Sequence, residues 1–222
     1  VRPLVILRPE PGAGKTADRA TRLGLEAQII PLFAPQALHW EAPAPDRYDA
    51  LLLTSAHAAR LAGERLADYR GLPAYAVGRA TAKAMREAGF AQVVAGDSDG
   101  TAIARRIAAD GHGTVLHLGG RTVASIDAGP LRIERIAVYE MVRAADNGLA
   151  ERLEAGSVLL IHSPRAGEVL AQLVGLEQRA SLHLIAISPT ALAACGPGWA
   201  SAQAPDKPDD ERMLALAVRL CE

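Results

Sequence analysis

Five short stretches place a hydroxyl or a glycine directly after an apolar run: Thr54-Ser55, Gly78-Arg79-Ala80-Thr81, Gly119-Gly120-Arg121, Ser163-Pro164-Arg165 and Ser188-Pro189-Thr190. Taken singly, each reads as a helix start, because Ser and Thr are ordinary N-caps and proline suits a first helical turn. Taken together they describe a binding surface. In open parallel sheets, ligands sit beyond the carboxyl ends of the strands. Helix N-termini at those ends offer free N–H groups and the positive end of the helix dipole, which suit carboxylate or phosphate. Such ends on two facing lobes grip a multiply anionic ligand without a basic face. Tyr139 is a candidate of another kind, an isolated polar aromatic on an apolar strand. On its own it reads first as a packed aromatic with its hydroxyl hydrogen-bonded. No Ser-His-Asp order and no paired catalytic carboxylates can be assigned.

Gly12-Ala13-Gly14-Lys15-Thr16 resembles the end of a phosphate-binding loop, Gly-x-x-x-x-Gly-Lys-Ser/Thr, but the first glycine of that pattern falls on Pro9. Proline has no N–H to offer a phosphate and cannot take a positive φ. The same residues fit the dinucleotide fingerprint, yet Pro9 and Pro11 separate them from the first strand, and the next strand ends in Pro31 instead of an acid. The reading adopted is a mobile surface loop before a helix. Cys195 and Cys221 lack metal-ligand spacing and read as free thiols of a reducing compartment. The six histidines are scattered, so no metal site is expected.

The elements that must position these residues follow a repeated phrase: a short apolar run, a break of small polar residues, then an Ala-rich helical stretch. It occurs at Leu4–Arg8, Ala50–Ser55, Ala74–Gly78, Thr114–Gly120, Val158–Pro164 and His183–Pro189. Strands alternating with helices predict βαβ units and a parallel sheet, and continuous apolar runs suit strands buried on both faces. Shorter strands are expected at Ala27–Ile30, Gln92–Val94 and Ala200–Gln203, giving about ten strands, five in each of two lobes. The phrases also pair: Leu51–Ser55 resembles Leu159–Ser163, and Ala76–Ala82 resembles Ala186–Ala191. An internal duplication follows.

Two extended stretches read as crossings between the lobes, Pro31–Trp40 and Ile136–Arg143. The second belongs to a long strand, Arg132–Arg143, on which Ile136, Val138, Glu140 and Val142 share one face and Ala137, Tyr139 and Met141 the other. The fold expected is α/β: two similar lobes, each a parallel sheet flanked by helices, joined by a two-stranded antiparallel hinge. Lobe one is discontinuous, residues 1–33 and 143–222. Residues 34–40 and 136–142 are the hinge strands, and 41–135 are lobe two. The competing arrangement is an N-half and C-half split with one linker near Asp146-Asn147-Gly148.

The 222 residues are 50% hydrophobic and only 4% aromatic, which favours helices packed on a buried parallel sheet over a β-sandwich. With 24 basic and 25 acidic residues the formal net charge is -1, so no basic field for nucleic acid is implied. No apolar run is long enough to span a membrane and no apolar signal region precedes the first strand, so a cytoplasmic protein is expected.

At these residues the sequence resembles the uroporphyrinogen-III synthase (HemD-like) family. The likeness is carried by Arg8-Pro9, Thr54-Ser55-Ala56-His57-Ala58, Ala76-Val77-Gly78-Arg79-Ala80-Thr81-Ala82, Val138-Tyr139, Ser163-Pro164 and Ala186-Ile187-Ser188-Pro189-Thr190-Ala191, in order over nearly the whole chain. The sequence departs from the commoner family pattern at His57, often Asn, and Ser188, often Gly. The resemblance implies a cyclising lyase that converts hydroxymethylbilane to uroporphyrinogen III, losing water and inverting ring D through a spiro intermediate, in a cleft between the lobes. It implies no metal and no organic cofactor, a small-molecule substrate, no nucleic-acid or membrane partner, and a monomer. The substrate-binding residues implied are Arg8, Thr54, Ser55, Gly78, Arg79, Thr81, Gly119, Ser163, Pro164, Ser188 and Thr190, with Tyr139 as the catalytic candidate. Two other classes stay open from the residues: a two-lobed binding protein for an anionic small molecule, and a nucleotide-dependent α/β enzyme using Gly12–Thr16.

Overall fold

Strands form where the apolar runs lie and helices where the Ala-rich stretches follow, through the residues described by the computed structural model: 2–96, 99–144 and 148–221. In chain order the elements are β1 (Leu4–Ile6), α1 (Gly12–Arg22), β2 (Ala27–Ile29), β3 (Phe33–Ala37), β4 (Ala50–Leu53), α2 (Ala56–Leu61), β5 (Ala74–Ala76), α3 (Arg79–Glu87), β6 (Val93–Ala95), α4 (Gly100–Ala109) and β7 (Thr114–Gly120). They continue with β8 (Arg132–Arg143), α5 (Leu149–Arg152), β9 (Val158–Ile161), α6 (Pro164–Leu173), α7 (Leu176–Arg179), β10 (His183–Ala186), α8 (Pro189–Ala194), β11 (Ser201–Gln203) and α9 (Asp210–Cys221). Of the competing linker, Asp146 and Asn147 lie outside the described residues. No helix among the described residues is long and apolar enough to cross a membrane.

The chain divides into two compact units, Val1–Ala34 with Arg143–Glu222, and Pro35–Val142. Unit one holds a five-stranded sheet in the order β11-β10-β9-β1-β2, parallel at every pairing. Unit two holds a six-stranded sheet in the order β3-β8-β7-β4-β5-β6, parallel from β8 to β6. The paired phrases fall on equivalent strands. β4, β5 and β6 run outward from the middle of one sheet as β9, β10 and β11 do in the other, and β7, β8 take the places of β1, β2.

Three sequence expectations are corrected. The described residues form eleven strands, because part of the Pro31–Trp40 crossing forms β3 beside β8, with the Leu38 N–H donating to Val138 O at 2.9 Å. Pro35 is tolerated there because an edge strand needs no donor on its outer side. Second, the two faces expected of β8 do not hold at Val138 and Tyr139. Its pairing with β7 shifts between Gly119, opposite Ala137, and Gly120, opposite Tyr139. The extra residue, Val138, is a bulge, and Val138 and Tyr139 consequently enter the same core with Ile136 and Met141 packed against it. Third, Gly12–Thr16 is no loop: α1 begins at Gly12, and the Gly14 N–H donates to the Glu10 carboxylate at 3.0 Å. The chain's own carboxylate takes a donor that a phosphate-binding loop would leave open.

In both units the central strand is buried on both faces. Leu51 and Leu53 enter a core built with α2 and α3, while Ala50 and Leu52 enter another with Ile103, Ala104 and Ile107 of α4. Leu4, Ile6, Val158, Leu160 and Ile185 of unit one pack against Ala13 and Ala20 of α1 and Met213, Leu214 and Ala217 of α9. At one end of that layer sits a polar knot. The Asp210 carboxylate accepts from Arg19 Nη1 at 2.8 Å, lies 2.9 Å from Thr16 Oγ1 and from His162 Nε2, and has Arg8 Nη1 at 3.7 Å. Burial raises the Asp210 pKa, but the hydrogen bonds from His162, Arg19 and Thr16 outweigh it and hold the carboxyl below its ordinary value. His162 is driven below its ordinary value chiefly by burial, against the pull of Asp210. The knot ties β9, α1 and α9 together. Asp210→Ala leaves these donors without their common acceptor and should cost roughly 3 kcal/mol, read as a lowered urea midpoint.

Candidate functional site

Unit two carries a pocket of about 540 Å³ at the carboxyl end of β4, lined by Thr54, Ser55, Val77, Asp99, Gly100, Thr101, residues 122–126 and Tyr139. Its floor follows from how the strands must end. β4 is buried to Leu53, and the chain must then leave the sheet and start α2. Ser55 makes that start, accepting from the His57 N–H with its side chain as N-cap. Thr54, one residue earlier, is half-buried at the strand end. Asp99 caps α4 in the same way, accepting from the Ala102 N–H at 2.8 Å.

The far wall is the connection from β7 to β8, residues 121–131, which joins two parallel neighbours without a helix. The Asp127 N–H donates to Thr101 Oγ1 at 3.1 Å, holding this loop against the start of α4. Arg135 Nη2 donates to both the Gly120 and Arg121 carbonyls at 2.7 Å, and Arg121 pairs with Glu140 at 2.9 Å. These two guanidinium groups stiffen the turn after β7, and neither lines the pocket. Among the described residues Asp99 is the one charged side chain that does; hydroxyls supply most of the polar lining.

Tyr139 reaches the pocket because of the β8 bulge and because of Gly120. A Cβ at Gly120 would lie 2.9 Å from Tyr139 Cζ and 3.0 Å from its Oη, so only glycine lets the ring lie there. The ring meets His57 edge-on at 5.6 Å between centroids. Gly119 makes room in the same way for His117 Nε2 and Val123 Cγ1, at 3.1 and 3.3 Å from a Cβ built there. His117 is 1% exposed, and its Nε2 lies 3.0 Å from Thr54 Oγ1. Burial, with the nearby Arg135 charge, pushes its pKa down to about 4.

The structure thus brings Thr54, Ser55 and Tyr139 to one pocket. Gly78, Arg79 and Thr81 lie at the start of α3, outside its lining. Gly78 is the N-cap with φ +87°, Arg79 is exposed and Thr81 is buried within the helix. In unit one, Ser163 caps α6, accepting from Ala166 N–H, and Ser188 caps α8, accepting from Ala191 N–H, both at 3.2 Å. Pro164 opens α6, Thr190 is an exposed second residue of α8, and Arg8 lies half-exposed beside Asp210. Sequence reasoning missed His117, Asp99, Arg135 and the 121–131 loop. The available signal for His117 was a histidine inside an apolar strand, two residues before a glycine pair.

The sequence matches the family model described as uroporphyrinogen-III synthase HemD over residues 14–215. Among solved structures, a uroporphyrinogen-III synthetase from Helicobacter pylori 26695 is 20% identical, with TM-score 0.61, covering 99% of this chain and 100% of that one. It shares the fold. A uroporphyrinogen III synthase from Thermus thermophilus aligns over 100% of both chains at 15% identity and TM-score 0.43. No curated protein sequence is significantly similar to this chain.

Two outcomes are expected from this geometry. Gly120→Ala should displace the Tyr139 ring and lower turnover at least as far as Tyr139→Phe does. In NMR spectra of that variant, the cross-peaks between the His57 and Tyr139 rings should disappear. His117 stays neutral in the fold, at a pKa of about 4 against 6.5 ordinarily, so the unfolded chain binds more protons between those values. Stability is therefore full above about pH 6.5 and falls by roughly 3 kcal/mol as pH drops to 4. Urea midpoints at pH 7 and 4.5 should show a smaller acid loss in His117→Gln than in the wild type.

Proposed function

This chain belongs to the uroporphyrinogen-III synthase family, the cyclising lyases of tetrapyrrole and haem biosynthesis, and we propose how its residues serve that reaction. The substrate is hydroxymethylbilane, a linear tetrapyrrole. Its terminal hydroxyl leaves with a proton as water, driven by the pyrrole nitrogen lone pair. The resulting azafulvene carbon is attacked by the substituted carbon of ring D, giving a spiro intermediate that opens and recloses with ring D inverted. This chemistry calls for no metal or organic cofactor. The bilane cyclises unaided to the uninverted isomer, so catalysis is chiefly positioning: the ring-D carbon must be brought nearest to the electrophile.

The observation that carries this reading is the pocket at the end of β4, where hydroxyls, two helix starts and the Tyr139 ring converge. A protonated phenol there donates to a departing hydroxyl. The substrate carries eight carboxylates, and N–H groups suited to them stand at the helix starts Thr54-Ser55, Gly78-Arg79, Ser163-Pro164 and Ser188-Thr190, with a cation at Arg8 and Gly119 at the end of β7. On this reading the protein works as a monomer in the cytoplasm.

Incubation with freshly made hydroxymethylbilane, followed by separation of the uroporphyrinogen isomers, should give type III in excess. Type I alone would overturn the assignment. Tyr139→Phe should slow turnover by about 10²-fold, the lower end for a positioned acid, and still yield mainly the inverted isomer. Unchanged turnover would make Tyr139 a packing residue; normal consumption yielding type I would assign it to steering ring D.

A further inference from the structure

Asp99 stands at the start of α4 and lines the pocket at the end of β4. Capping accounts for its position but not for its charge. Its Oδ1 accepts from the Ala102 N–H at 2.8 Å, and a hydroxyl does the same for the helices after Ser55, Ser163 and Ser188. A carboxylate has about four acceptor sites, so one capping bond leaves it able to take further donors. The loop after β7 presses on the same spot: a Cβ built at Gly100 would lie 2.7 Å from Ile126 Cγ1. That apolar side chain shields the helix start on one side. Asp99 itself is exposed, so water and salt partly screen its field.

Among the described residues no arginine or lysine lines this pocket. Its charge is therefore negative, the wrong sign for a carboxylate and the right sign for a cation or an N–H edge. Each ring of the bilane has both kinds of edge: carboxylates hang from the carbons opposite the nitrogen, and the nitrogen carries an N–H. When the carbon–oxygen bond of the hydroxymethyl group breaks, its electron pair leaves with the hydroxyl, which takes the proton offered by Tyr139 and departs as water. The lone pair of the ring nitrogen forms the new double bond, and the N–H is left positively charged. Closure of the spiro intermediate then moves that charge onto ring D.

We propose that Asp99 is a catalytic residue: its carboxylate accepts the N–H of the ring that loses the hydroxyl and stabilises the N-protonated azafulvene as it forms. This role rests on the function proposed above. The same charge repels the substrate's carboxylates before reaction and attracts the cation in the transition state, so it acts on rate and not on binding. It also orients the ring, with the N–H edge toward the start of α4 and the carboxylates away from it. The hydrogen bond strengthens as the positive charge grows, because a charged donor bonds a carboxylate more tightly than a neutral one.

The test is the steady-state kinetics of uroporphyrinogen III formation from hydroxymethylbilane by the intact chain. Asp99→Asn keeps the size, the cap and an acceptor oxygen and removes only the charge, since Asn and Asp cap equally well. It should lower kcat about tenfold while KM stays level or falls by up to about threefold, because the ground-state repulsion goes with the charge. Asp99→Ser, capped as the helix after Ser55 is, should behave in the same way and decides alone if the asparagine variant does not fold. Urea midpoints of both variants should match the wild type. A kcat within about twofold of wild type in both variants would make Asp99 a cap and nothing more. A KM raised beyond about twofold would make it a ground-state contact and would equally overturn the proposal. Loss of kcat together with a lowered midpoint would trace the effect to the folding of α4 and also count against it. A wild type that makes no type III would overturn the functional reading and this role with it. A wild type that makes type III no faster than its two variants would sink the role alone.

Discussion

A parallel strand buried on both faces has no place for chemistry along its length, and that constraint arranges the rest of this molecule. Leu51, Leu52 and Leu53 of β4 and Leu159, Leu160 and Ile161 of β9 are fully buried. Each such side chain contributes about 1.5–3 kcal/mol by leaving water, and a polar group in its place would need a partner where none exists. Polar residues are thus pushed to the strand ends. There the chain must also begin a helix whose first N–H groups lack partners. One residue type solves the capping problem and supplies a hydroxyl at the same spot, which is why Ser55, Ser163 and Ser188 stand where they do.

The two units show what can be done with the same frame. The phrase pairing sets Thr54, just after β4, against His162, just after β9, each one residue before its serine cap. In unit two the end of the central strand is wired to a neutral partner, His117, reaching across from the neighbouring strand. In unit one it is wired to a carboxylate, Asp210, which also collects Arg19 and Thr16. The neutral pair leaves a hollow lined mainly by hydroxyls, with Asp99 at its rim. The ionic knot gathers charges at the equivalent corner and fastens two helices to the sheet, with His162 Nδ1 buried and without a hydrogen-bond partner among the described residues. Sheets of matching strand order therefore carry a hydroxyl-lined pocket and an ionic cluster at corresponding strand ends.

Much of this was legible in the chain because it depends on local composition. Runs such as Leu4–Leu7 and Val158–Ile161 can only be satisfied by burial, and serine followed by proline marks a helix start whatever surrounds it. Pro9 argued against a phosphate loop for a reason that needs no coordinates. What the chain did not disclose depends on register. Whether Val138 and Tyr139 face opposite ways or together turns on one extra residue in β8, and a one-residue shift of pairing reverses the sense of every side chain beyond it. The His117–Thr54 contact joins residues on different strands, and a histidine in an apolar run looks the same whether it packs idly or orients a neighbour. The 121–131 connection was invisible as a wall because its residues carry no periodic pattern. Its role comes from Arg135 and Thr101, which hold it from elsewhere in the chain.

The shared strand order of the two sheets is reached by different routes along the chain, and this bears on how the polypeptide is made. Unit two is a single uninterrupted run, Pro35–Val142. A ribosome delivers all of its strands before β9 exists, and it can close as soon as β8 clears the exit tunnel. Unit one is begun first and finished last. Leu4 must wait for Val158, its partner across β1 and β9, and the apolar face formed by Leu4 and Ile6 is not covered until α9, the final helix, arrives. Until β9 and α9 are made, β1 is an open sheet edge with a partly covered apolar face, the kind of nascent segment that invites mispairing with other chains. Leu4–Ile6 of β1 thus wait longer for their neighbours than any strand of unit two, and the cause lies in the threading of the chain, since the sheet they join is as regular as its twin.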